Sequence, residues 1–343
     1  MMSSVHSSSP PDQAVDDILR IENLSVDFPT DLGWTRVVDG VSLRVPPGTT
    51  VGLVGESGSG KTVTSLAAMG LLPPGRSRVS GSIRIAGREM VGLSESELAD
   101  IRGADVSMVF QEPRRSLSPA FTVGDQIAEV VRRHQGATKK ESVARAVEML
   151  DLVGIPDPRK RADAYPHEFS GGMCQRVMLA IAMVCRPKLL IADEPTTALD
   201  VTVQREMLRL MKDLQHEFAV SILFITHDLG VVAEMCDHVT VMYAGQVVET
   251  TTIDDLFDDP RHPYSEGLLA AIPNPHDKGR RLSSIPGAVP APWDWPQTCR
   301  FAARCEYAEP GRCDTRPVHL EQIAGSRAVR CVRERELDLR GLV

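Results

Sequence analysis

The stretch Gly55-Glu56-Ser57-Gly58-Ser59-Gly60-Lys61-Thr62 fits the pattern G-x-x-x-x-G-K-[ST] at every required position. An apolar run at 50–54 precedes it and predicts a buried strand, and the run at 63–69 predicts a helix. Glycines in such a loop let backbone N–H groups turn onto phosphate oxygens, and the helix N-terminus adds partial positive charge. A chance glycine-rich turn is the alternative, and the flanking elements argue against it. We therefore predict a nucleotide phosphate site in which Lys61 reaches the β- and γ-phosphates and Thr62 ligates Mg²⁺.

The composition of the chain narrows its class. Its 343 residues favour two or three domains, and a net charge of −8 argues against nonspecific nucleic-acid binding as the main role. Every apolar run falls short of the roughly 18 residues that span a bilayer. Residues 1–13 are rich in Ser and Pro and do not resemble a secretory signal, so we expect a disordered tail at 1–17. We expect a cytosolic chain whose membrane role, if any, depends on partners.

Strands and helices alternate along most of the sequence. Residues 106–110, 188–192 and 221–226 are short apolar runs typical of buried strands, with helical patterns between them. This order predicts an α/β fold with a mostly parallel sheet covered on both faces. Residues 19–28 instead alternate apolar and polar side chains, as an antiparallel strand does. Residues 122–154 show a helical pattern, which we interpret as an insertion.

A pair of acidic residues ends one of the predicted strands. Asp193 and Glu194 directly follow the apolar run at 188–192. Phosphoryl transfer needs a Mg²⁺ ligand and a group that orients the attacking water, and we predict that Asp193 supplies the first and Glu194 the second. Many strands end in acids without such a role, so the pair alone is a weak signal. Downstream of a phosphate loop it becomes a strong one.

Between the loop and the acidic pair lies Phe169-Ser170-Gly171-Gly172-Met173-Cys174-Gln175-Arg176. This stretch resembles the signature of the ATP-binding cassette (ABC) family, LSGGxxQR, with Phe169 in place of the usual leucine. Ser170 and the amides of Gly171 and Gly172 begin an apolar helix and so form a second anion-binding N-terminus. The resemblance implies that this site closes on the γ-phosphate of an ATP held by a second cassette. A glycine-rich helix start without function is the alternative.

Three further motifs match the family in chain order. The resemblance implies a Q-loop in which Gln111 senses Mg²⁺ and water and links to the helical insertion. It also implies a D-loop with Asp200 at the dimer interface and an H-loop in which His227 contacts the γ-phosphate. A lone histidine is more often structural, but its place after these motifs favours the functional role. The implied activity is hydrolysis of ATP to ADP and phosphate, and the complete set argues against a degenerate cassette.

The family places an aromatic residue that stacks on adenine upstream of the phosphate loop. We assign this role to Phe28, because its spacing to Gly55 is a little long but allows for an insertion at 29–33. Trp34 is the second candidate. A core or surface aromatic without a nucleotide role is the alternative interpretation of Phe28.

Three segments resemble the ATPase subunits of importers for oligopeptides, dipeptides or nickel. They are residues 110–119, residues 194–204 and the proline-rich region after Asp259, which includes His262-Pro263-Tyr264. The resemblance covers nearly the whole chain, and the last region is the most specific to this branch. The implied organisation is the tail at 1–17, an ABC nucleotide-binding domain at 18–262 with a helical subdomain at about 113–170, and a peptide-importer C-terminal domain with irregular structure at 263–343.

The last four cysteines follow the spacing C-x5-C-x7-C-x17-C and are Cys299, Cys305, Cys313 and Cys331. A reducing compartment disfavours disulfides, whereas clustered thiolates bind zinc or iron–sulfur centres. The family resemblance implies a [4Fe-4S] cluster at these residues, with zinc as the less favoured metal because the spacing fits generic zinc ribbons poorly. Free thiols in a small irregular domain are the alternative. A bound metal would brace a region too poor in core to hold itself.

The resemblance also implies a transporter around this chain. Its partners are a second ABC ATPase subunit, by family habit a related but distinct one, two transmembrane permease subunits and an extracytoplasmic solute-binding protein. The chain then lies peripherally on the cytoplasmic face of the cell (inner) membrane. Peptide import is the favoured function, and import of nickel or another small solute is the alternative. A soluble cassette ATPase acting on nucleic acid or ribosomes is less favoured, because the chain is acidic and has one signature.

Overall fold

The computed structural model describes residues 17–31, 33–197, 199–272 and 284–342. The tail predicted at 1–17 lies outside this part of the chain except for Asp17, and so does Ala198 of the predicted D-loop. The strands are β1 Leu19–Thr30, β2 Gly33–Val45, β3 Thr50–Val54, β4 Arg78–Ile85, β5 Arg88–Glu89, β6 Val106–Val109, β7 Leu189–Asp193, β8 Ser221–Thr226, β9 His238–Tyr243, β10 Gln246–Thr252, β11 Glu321–Ala324 and β12 Arg327–Val329.

Helices of very different length connect these strands. The α-helices are α1 Lys61–Ala68, α2 Glu95–Ile101, α3 Pro113–Ser116, α4 Val123–Gln135, α5 Lys139–Leu152, α6 Pro158–Arg161, α7 Gly171–Met183, α8 Val201–Phe218, α9 Leu229–Met235, α10 Ile253–Asp258 and α11 Pro263–Ala270, and short 3₁₀ helices cover Pro166–Glu168, Pro292–Asp294 and Ala302–Arg304.

The larger sheet confirms the predicted parallel core. Its strand order is β11-β12-β10-β9-β3-β8-β7-β6, and the five strands from β9 to β6 are parallel neighbours. In such a sheet, ligands bind beyond the carboxyl ends of the strands. Strands β3, β8, β7 and β6 are consecutive in this order, so the segments that follow them meet at one edge.

A second sheet, with order β2-β1-β4-β5, confirms the predicted antiparallel part of the fold. Strand β1 contains a bulge, where Asn23 adopts a φ of 51°. The sequence suggested an insertion at 29–33. The structure instead continues β1 to Thr30 and starts β2 at Gly33, because Thr30 pairs with Gly33 across a tight hairpin.

Two apolar cores cover the two faces of the parallel sheet. One contains alternate residues of the central strands, such as Leu53 and Ile225, packed with α1 and the antiparallel sheet. The other contains the intervening residues, such as Val54 and Phe224, packed with α7, α8 and the helical insertion. Burying each such side chain contributes about 1.5–3 kcal/mol, so both faces anchor the strands whose ends carry the site.

The segment 122–154, for which the sequence predicts a helical insertion, consists of the two helices α4 and α5. Helix α4 ends at Gly136, which adopts the left-handed conformation that stops a helix. Helix α5 begins at Thr138, whose side chain accepts from the backbone of Glu141 while the Glu141 carboxylate accepts from the backbone of Thr138. Ser94 and Glu97 form the same reciprocal cap at the start of α2.

The C-terminal region carries more regular structure than its proline content indicated. Helix α11 begins at Pro263, which stands in the first turn where a missing N–H costs nothing. Strand β12 pairs with β10, with Val329 opposite Glu249, so this region extends the larger sheet. The division of the chain at residue 263 stays a prediction, and residues 273–283 lie outside the described part.

Candidate nucleotide-binding site

The phosphate loop has the backbone conformation that its glycines allow. Gly55, Gly58 and Gly60 have φ values of 151°, 81° and 103°, which residues with side chains rarely adopt. A Cβ atom on Gly55 would also overlap the carbonyl oxygen of Met242. Gly60 caps helix α1, so Lys61 and Thr62 occupy its first turn beside the loop, as the motif predicts.

Lys61 is almost fully buried, with 5 % of its surface exposed. Its ammonium group donates to the carbonyl oxygens of Gly55, at 2.7 Å, and Glu56, at 3.0 Å. Burial lowers the pKa of Lys61, and the carboxylates of Glu194 and Asp193 act in the opposite direction. The buried cation therefore rests on the loop that would hold the phosphates.

Asp193 ends β7 next to the first turn of α1. The Thr62 hydroxyl lies 3.5 Å from a carboxylate oxygen of Asp193, which is 5 % exposed. Burial raises the pKa of Asp193 to about 6. A hydroxyl and a carboxylate are oxygen donors of the kind that Mg²⁺ prefers, so this pair fits a Mg²⁺ site.

Glu194 is the centre of the hydrogen bonds at the strand ends. One carboxylate oxygen accepts from the amide of Gln111 at 2.8 Å and from the hydroxyl of Thr197 at 2.9 Å. The other lies 3.0 Å from Nδ1 of His227. Burial acts to raise the pKa of Glu194, but the hydrogen bonds from His227 and Thr197 and the charge of Lys61 outweigh it, so this pKa lies below its ordinary value.

The backbone at Glu194 also departs from regular structure. Its φ is 47°, in the left-handed region that non-glycine residues seldom occupy, and its N–H donates to the carbonyl of Ile225 in β8. Strained positions of this kind concentrate at functional sites. The structure thus brings Lys61, Thr62 and the strand-end residues together and holds the central carboxylate in a fixed direction.

The signature stretch forms a separate part of the chain. Ser170 caps helix α7, and its hydroxyl accepts from the backbone of Met173, while Gly171 and Gly172 form the first turn. Ser170 is exposed, and no hydrogen bond or ion pair among the described residues joins this helix start to the phosphate loop. Asp200 caps helix α8 in the same way, accepting from the backbone of Thr202 and Val203.

The adenine contact stays a prediction. Phe28 in β1 is half-buried against the core of the antiparallel sheet, and it pairs with Thr35 in the neighbouring strand β2. Trp34 is 41 % exposed, and the guanidinium of Arg78 lies 3.8 Å from the centre of its ring. Among the described residues, a cation therefore stacks on the ring of Trp34 but not on that of Phe28, and neither observation tests which ring contacts adenine.

The four C-terminal cysteines line one small cavity of about 20 Å³. Burial raises the pKa of Cys305 to about 12 and that of Cys331 to about 11, and it raises the pKa of Cys299 as well. Across the part of the chain that the structure describes, no three His, Cys, Asp or Glu side chains are arranged to hold a metal ion. The thiols share a cavity, but their arrangement does not support the predicted iron–sulfur cluster.

Comparison with known proteins identifies the family. Residues 38–197 match the ABC transporter family, and residues 248–313 match the C-terminal region of oligopeptide and dipeptide transporters. The oligopeptide transport ATP-binding protein AppD of Bacillus subtilis is 50% identical over 315 residues, which are 92% of this chain and 96% of the relative. The chain belongs to the ABC transporter family. The dipeptide transport ATP-binding protein DppD of Escherichia coli is 47% identical over the same shares of both chains.

Solved ABC structures share the fold of the cassette. A dimeric ATP-binding cassette in a post-hydrolysis state, bound to ADP and phosphate, superposes with a TM-score of 0.61 at 25% identity and covers 68% of this chain and 98% of its own. CbiO1 of Clostridium perfringens, part of an ABC transporter complex, gives 0.59 at 28% identity and covers 71% of this chain and 91% of its own. In the described part of this ABC protein, no helix is long and apolar enough to cross a membrane.

The sequence did not indicate several residues that shape this ABC site. Thr197 donates to Glu194, and its place in the predicted D-loop was the available signal. Arg304 forms an ion pair with Glu56 of the phosphate loop, and Tyr264 accepts from the Glu56 backbone. Both partners of Glu56 lie more than 200 positions further along the chain, and no spacing rule connects them.

Proposed function

We propose that this ABC protein is the ATP-hydrolysing subunit of a peptide importer. The observation that carries the hydrolytic part is the environment of Glu194. Its carboxylate is held by Gln111, Thr197 and His227 at the strand ends, next to the buried ammonium of Lys61. A carboxylate whose direction is fixed at three points is suited to orient a water molecule beside a nucleotide phosphate.

The proposed reaction assigns a task to each of these side chains. The loop amides and Lys61 bind the phosphates of ATP, and Thr62 and Asp193 would hold Mg²⁺, which would supply positive charge that offsets the charge of the phosphates. Glu194 orients a water molecule for attack on the γ-phosphorus and accepts its proton as the bond to ADP breaks. Because the pKa of Glu194 lies below its ordinary value, the carboxylate is ionised and able to accept.

A second cassette completes the proposed site. The start of α7 has the exposed Ser170 at its cap and two glycines in its first turn, which is the form of an anion-binding helix N-terminus. Among the described residues it makes no hydrogen bond or ion pair to the phosphate loop. Asp200 begins the neighbouring helix α8. We propose that both residues lie at the interface with a related but distinct ATPase subunit, so that ATP is bound between the two chains.

The transported solute follows from the relatives. AppD and DppD are named as oligopeptide and dipeptide transport proteins, and the C-terminal region matches the corresponding family over 248–313. We propose peptides as the solute class, with two transmembrane permeases and a solute-binding protein as partners. The chain would then lie on the cytoplasmic face of the cell (inner) membrane.

A metal centre at the four cysteines is a separate part of the proposal. The hypothesis rests on donor chemistry alone, because four thiols around one cavity are the donor set of an iron–sulfur cluster or of zinc. The thiols do not form a metal site in their present arrangement, so binding would require them to move together. We assign such a centre no step in hydrolysis.

The importer is tested by recovering the tagged chain from native membranes in mild detergent and identifying its partners by mass spectrometry. We expect two multi-spanning permeases, a second cassette and a binding protein that carries peptide. Untagged membranes taken through the same steps are the control. Recovery of soluble partners alone, or of ribosomes, would overturn the transport proposal without affecting ATP hydrolysis by the purified chain.

A further inference from the structure

Arg304 connects the C-terminal region to the phosphate loop. Its two terminal nitrogens donate to the two carboxylate oxygens of Glu56, at 2.7 Å and 3.0 Å. Such a bidentate pair between an arginine and a carboxylate is among the stronger and more directional contacts in proteins. Glu56 is the first residue after Gly55 in the loop, so a side chain from a distant segment contacts the proposed nucleotide site.

Backbone carbonyl groups hold the guanidinium of Arg304 in place. It is 8 % exposed, and its Nε donates to the carbonyl of Pro286 at 2.7 Å. A terminal nitrogen also donates to the carbonyl of Ile285 at 3.3 Å. These backbone contacts set the direction of the guanidinium fork, so the position of Arg304 determines where the Glu56 carboxylate lies.

A second contact holds the backbone of the same loop residue. The N–H of Glu56 donates to the hydroxyl of Tyr264 at 2.8 Å. Tyr264 is fully buried and packs with Tyr243 and Phe301, with ring centres 4.8 Å and 5.3 Å away. Phe301 directly precedes the 3₁₀ helix that ends at Arg304. One aromatic cluster therefore fixes both groups that hold Glu56.

Lys61 couples the position of Glu56 to the proposed phosphate site. Its ammonium donates to the carbonyl of Glu56 at 3.0 Å, so the residue that Arg304 holds also carries an acceptor of the buried lysine. A loop fixed in its bound shape binds a ligand at a lower entropic cost. Pairing with Arg304 also offsets the negative charge of Glu56, which would otherwise repel the phosphates of ATP.

We propose that Arg304 is a positioning residue for the nucleotide site: it neutralises Glu56 and holds the phosphate loop ready for the triphosphate. This inference rests on the proposed nucleotide site and extends it, because it makes ATP affinity depend on the C-terminal region. Loss of Arg304 weakens ATP binding and raises the KM, because the Glu56 carboxylate is then unpaired. The kcat stays near that of the unsubstituted chain, because Arg304 contacts Glu56 and not the residues around Glu194.

The experiment measures equilibrium binding of Mg²⁺–ATP to the full chain by calorimetry, together with kcat and KM for hydrolysis. We expect Arg304→Gln to weaken ATP binding about tenfold, which corresponds to about 1.4 kcal/mol. Arg304→Lys keeps the positive charge but loses the planar fork of the guanidinium. We expect its ATP affinity to lie between that of the unsubstituted chain and that of Arg304→Gln. Adding Glu56→Gln to Arg304→Gln removes the unpaired carboxylate, and we expect it to restore most of the affinity.

A matched control is available in the same region. Arg312 and Glu336 form another bidentate pair, at 2.9 Å and 2.6 Å, on the surface and without contact to the phosphate loop. We expect Arg312→Gln to leave ATP affinity unchanged. Equal losses in both variants, or an unchanged affinity in folded Arg304→Gln, would overturn the inference.

A folding defect would be recognised by thermal unfolding. If Arg304→Gln does not fold, the ATP affinities of Arg304→Lys and of the double variant test the inference. A purely structural role of Arg304 predicts that removing the Glu56 charge does not restore the affinity. Failure of the unsubstituted chain to bind ATP would instead refute the proposed nucleotide site, so the two failures are distinguishable.

Discussion

The nucleotide-binding site and the cysteine cavity both contain residues that the sequence singled out by their spacing, and the two regions differ in the structure. The first is built at the ends of four neighbouring parallel strands, β3, β8, β7 and β6, whose backbone hydrogen bonds fix the register. The second is built from turns, a 3₁₀ helix and the end of a short strand. The spacing of residues in the sequence predicts their relative positions well where a sheet fixes the backbone. It predicts them less well where loops connect the residues.

The largest expected effect is on ATP turnover at the nucleotide-binding site. Glu194→Gln keeps the size of the side chain but removes the proton acceptor that Gln111 and His227 hold. We expect ATP turnover to fall on the order of 10²–10⁴-fold while ATP binding persists. Steady-state hydrolysis and calorimetry measure both quantities. Glu234→Gln, at an exposed position on α9, is the control, and rapid hydrolysis by the Glu194 variant would contradict the assignment.

Gly55→Ala tests whether the loop backbone itself sets the site. The left-handed conformation costs about 1–3 kcal/mol for a residue with a side chain. The added Cβ also overlaps the Met242 carbonyl, so we expect lower thermal stability and lost ATP binding. Gly58→Ala is the matched control, because its φ of 81° brings the strain without a neighbouring atom. Equal effects in the two variants would show that the Met242 contact is unimportant.

His227→Ala removes one of the three groups that orient Glu194. A hydrogen bond to a charged group contributes about 1.5–3 kcal/mol when buried, and the His227 side chain is 61% exposed, so we discount that figure and expect turnover to fall about tenfold. The kcat for ATP hydrolysis is the quantity to measure. His216→Ala, at an exposed position on α8, should leave it unchanged. Unchanged turnover in the His227 variant would show that this contact is not used in the reaction.

The smallest expected effect on ATP turnover concerns the cysteine cavity. Cys331→Ser alters a residue of the cavity, whose lining includes neither Glu194 nor its hydrogen-bond partners, so we expect turnover to stay within about twofold. The proposed metal centre predicts that anaerobically purified protein contains iron and sulfide and that this variant loses both, as measured by elemental and sulfide analysis. Absence of iron, sulfide and zinc from the unsubstituted chain would leave a cavity of free thiols and widen the contrast between the two regions.

Much of the fold could be predicted from local patterns. The runs that became β6, β7 and β8 are short, apolar and bounded by turn residues, and each appears within one or two residues of its predicted place. The hairpin between β9 and β10 turns at Ala244 and Gly245, the kind of small residues that tolerate the positive φ found at both positions. These features depend on neighbours in sequence, which a pattern records.

Other features depend on contacts between distant residues. The helical pattern at 122–154 did not show the break at Gly136, where α4 and α5 separate. Strands β11 and β12 were not predicted, because their short sequences carry little pattern and form a sheet only where β10 offers an open edge. Pairing with a preformed edge is a tertiary event that no local window contains.

The sequence by itself determined the chemistry of this protein: the phosphate loop, the acidic pair and the signature stretch are local patterns whose residue types have few other uses together. Only the tertiary structure decided how these groups meet. It placed Gln111, Thr197 and His227 around one carboxylate, and it brought Arg304 to Glu56 from 248 positions away. The physical reason is that strand ends and buried ion pairs are positioned by packing of the whole chain, and their partners are adjacent only after it folds.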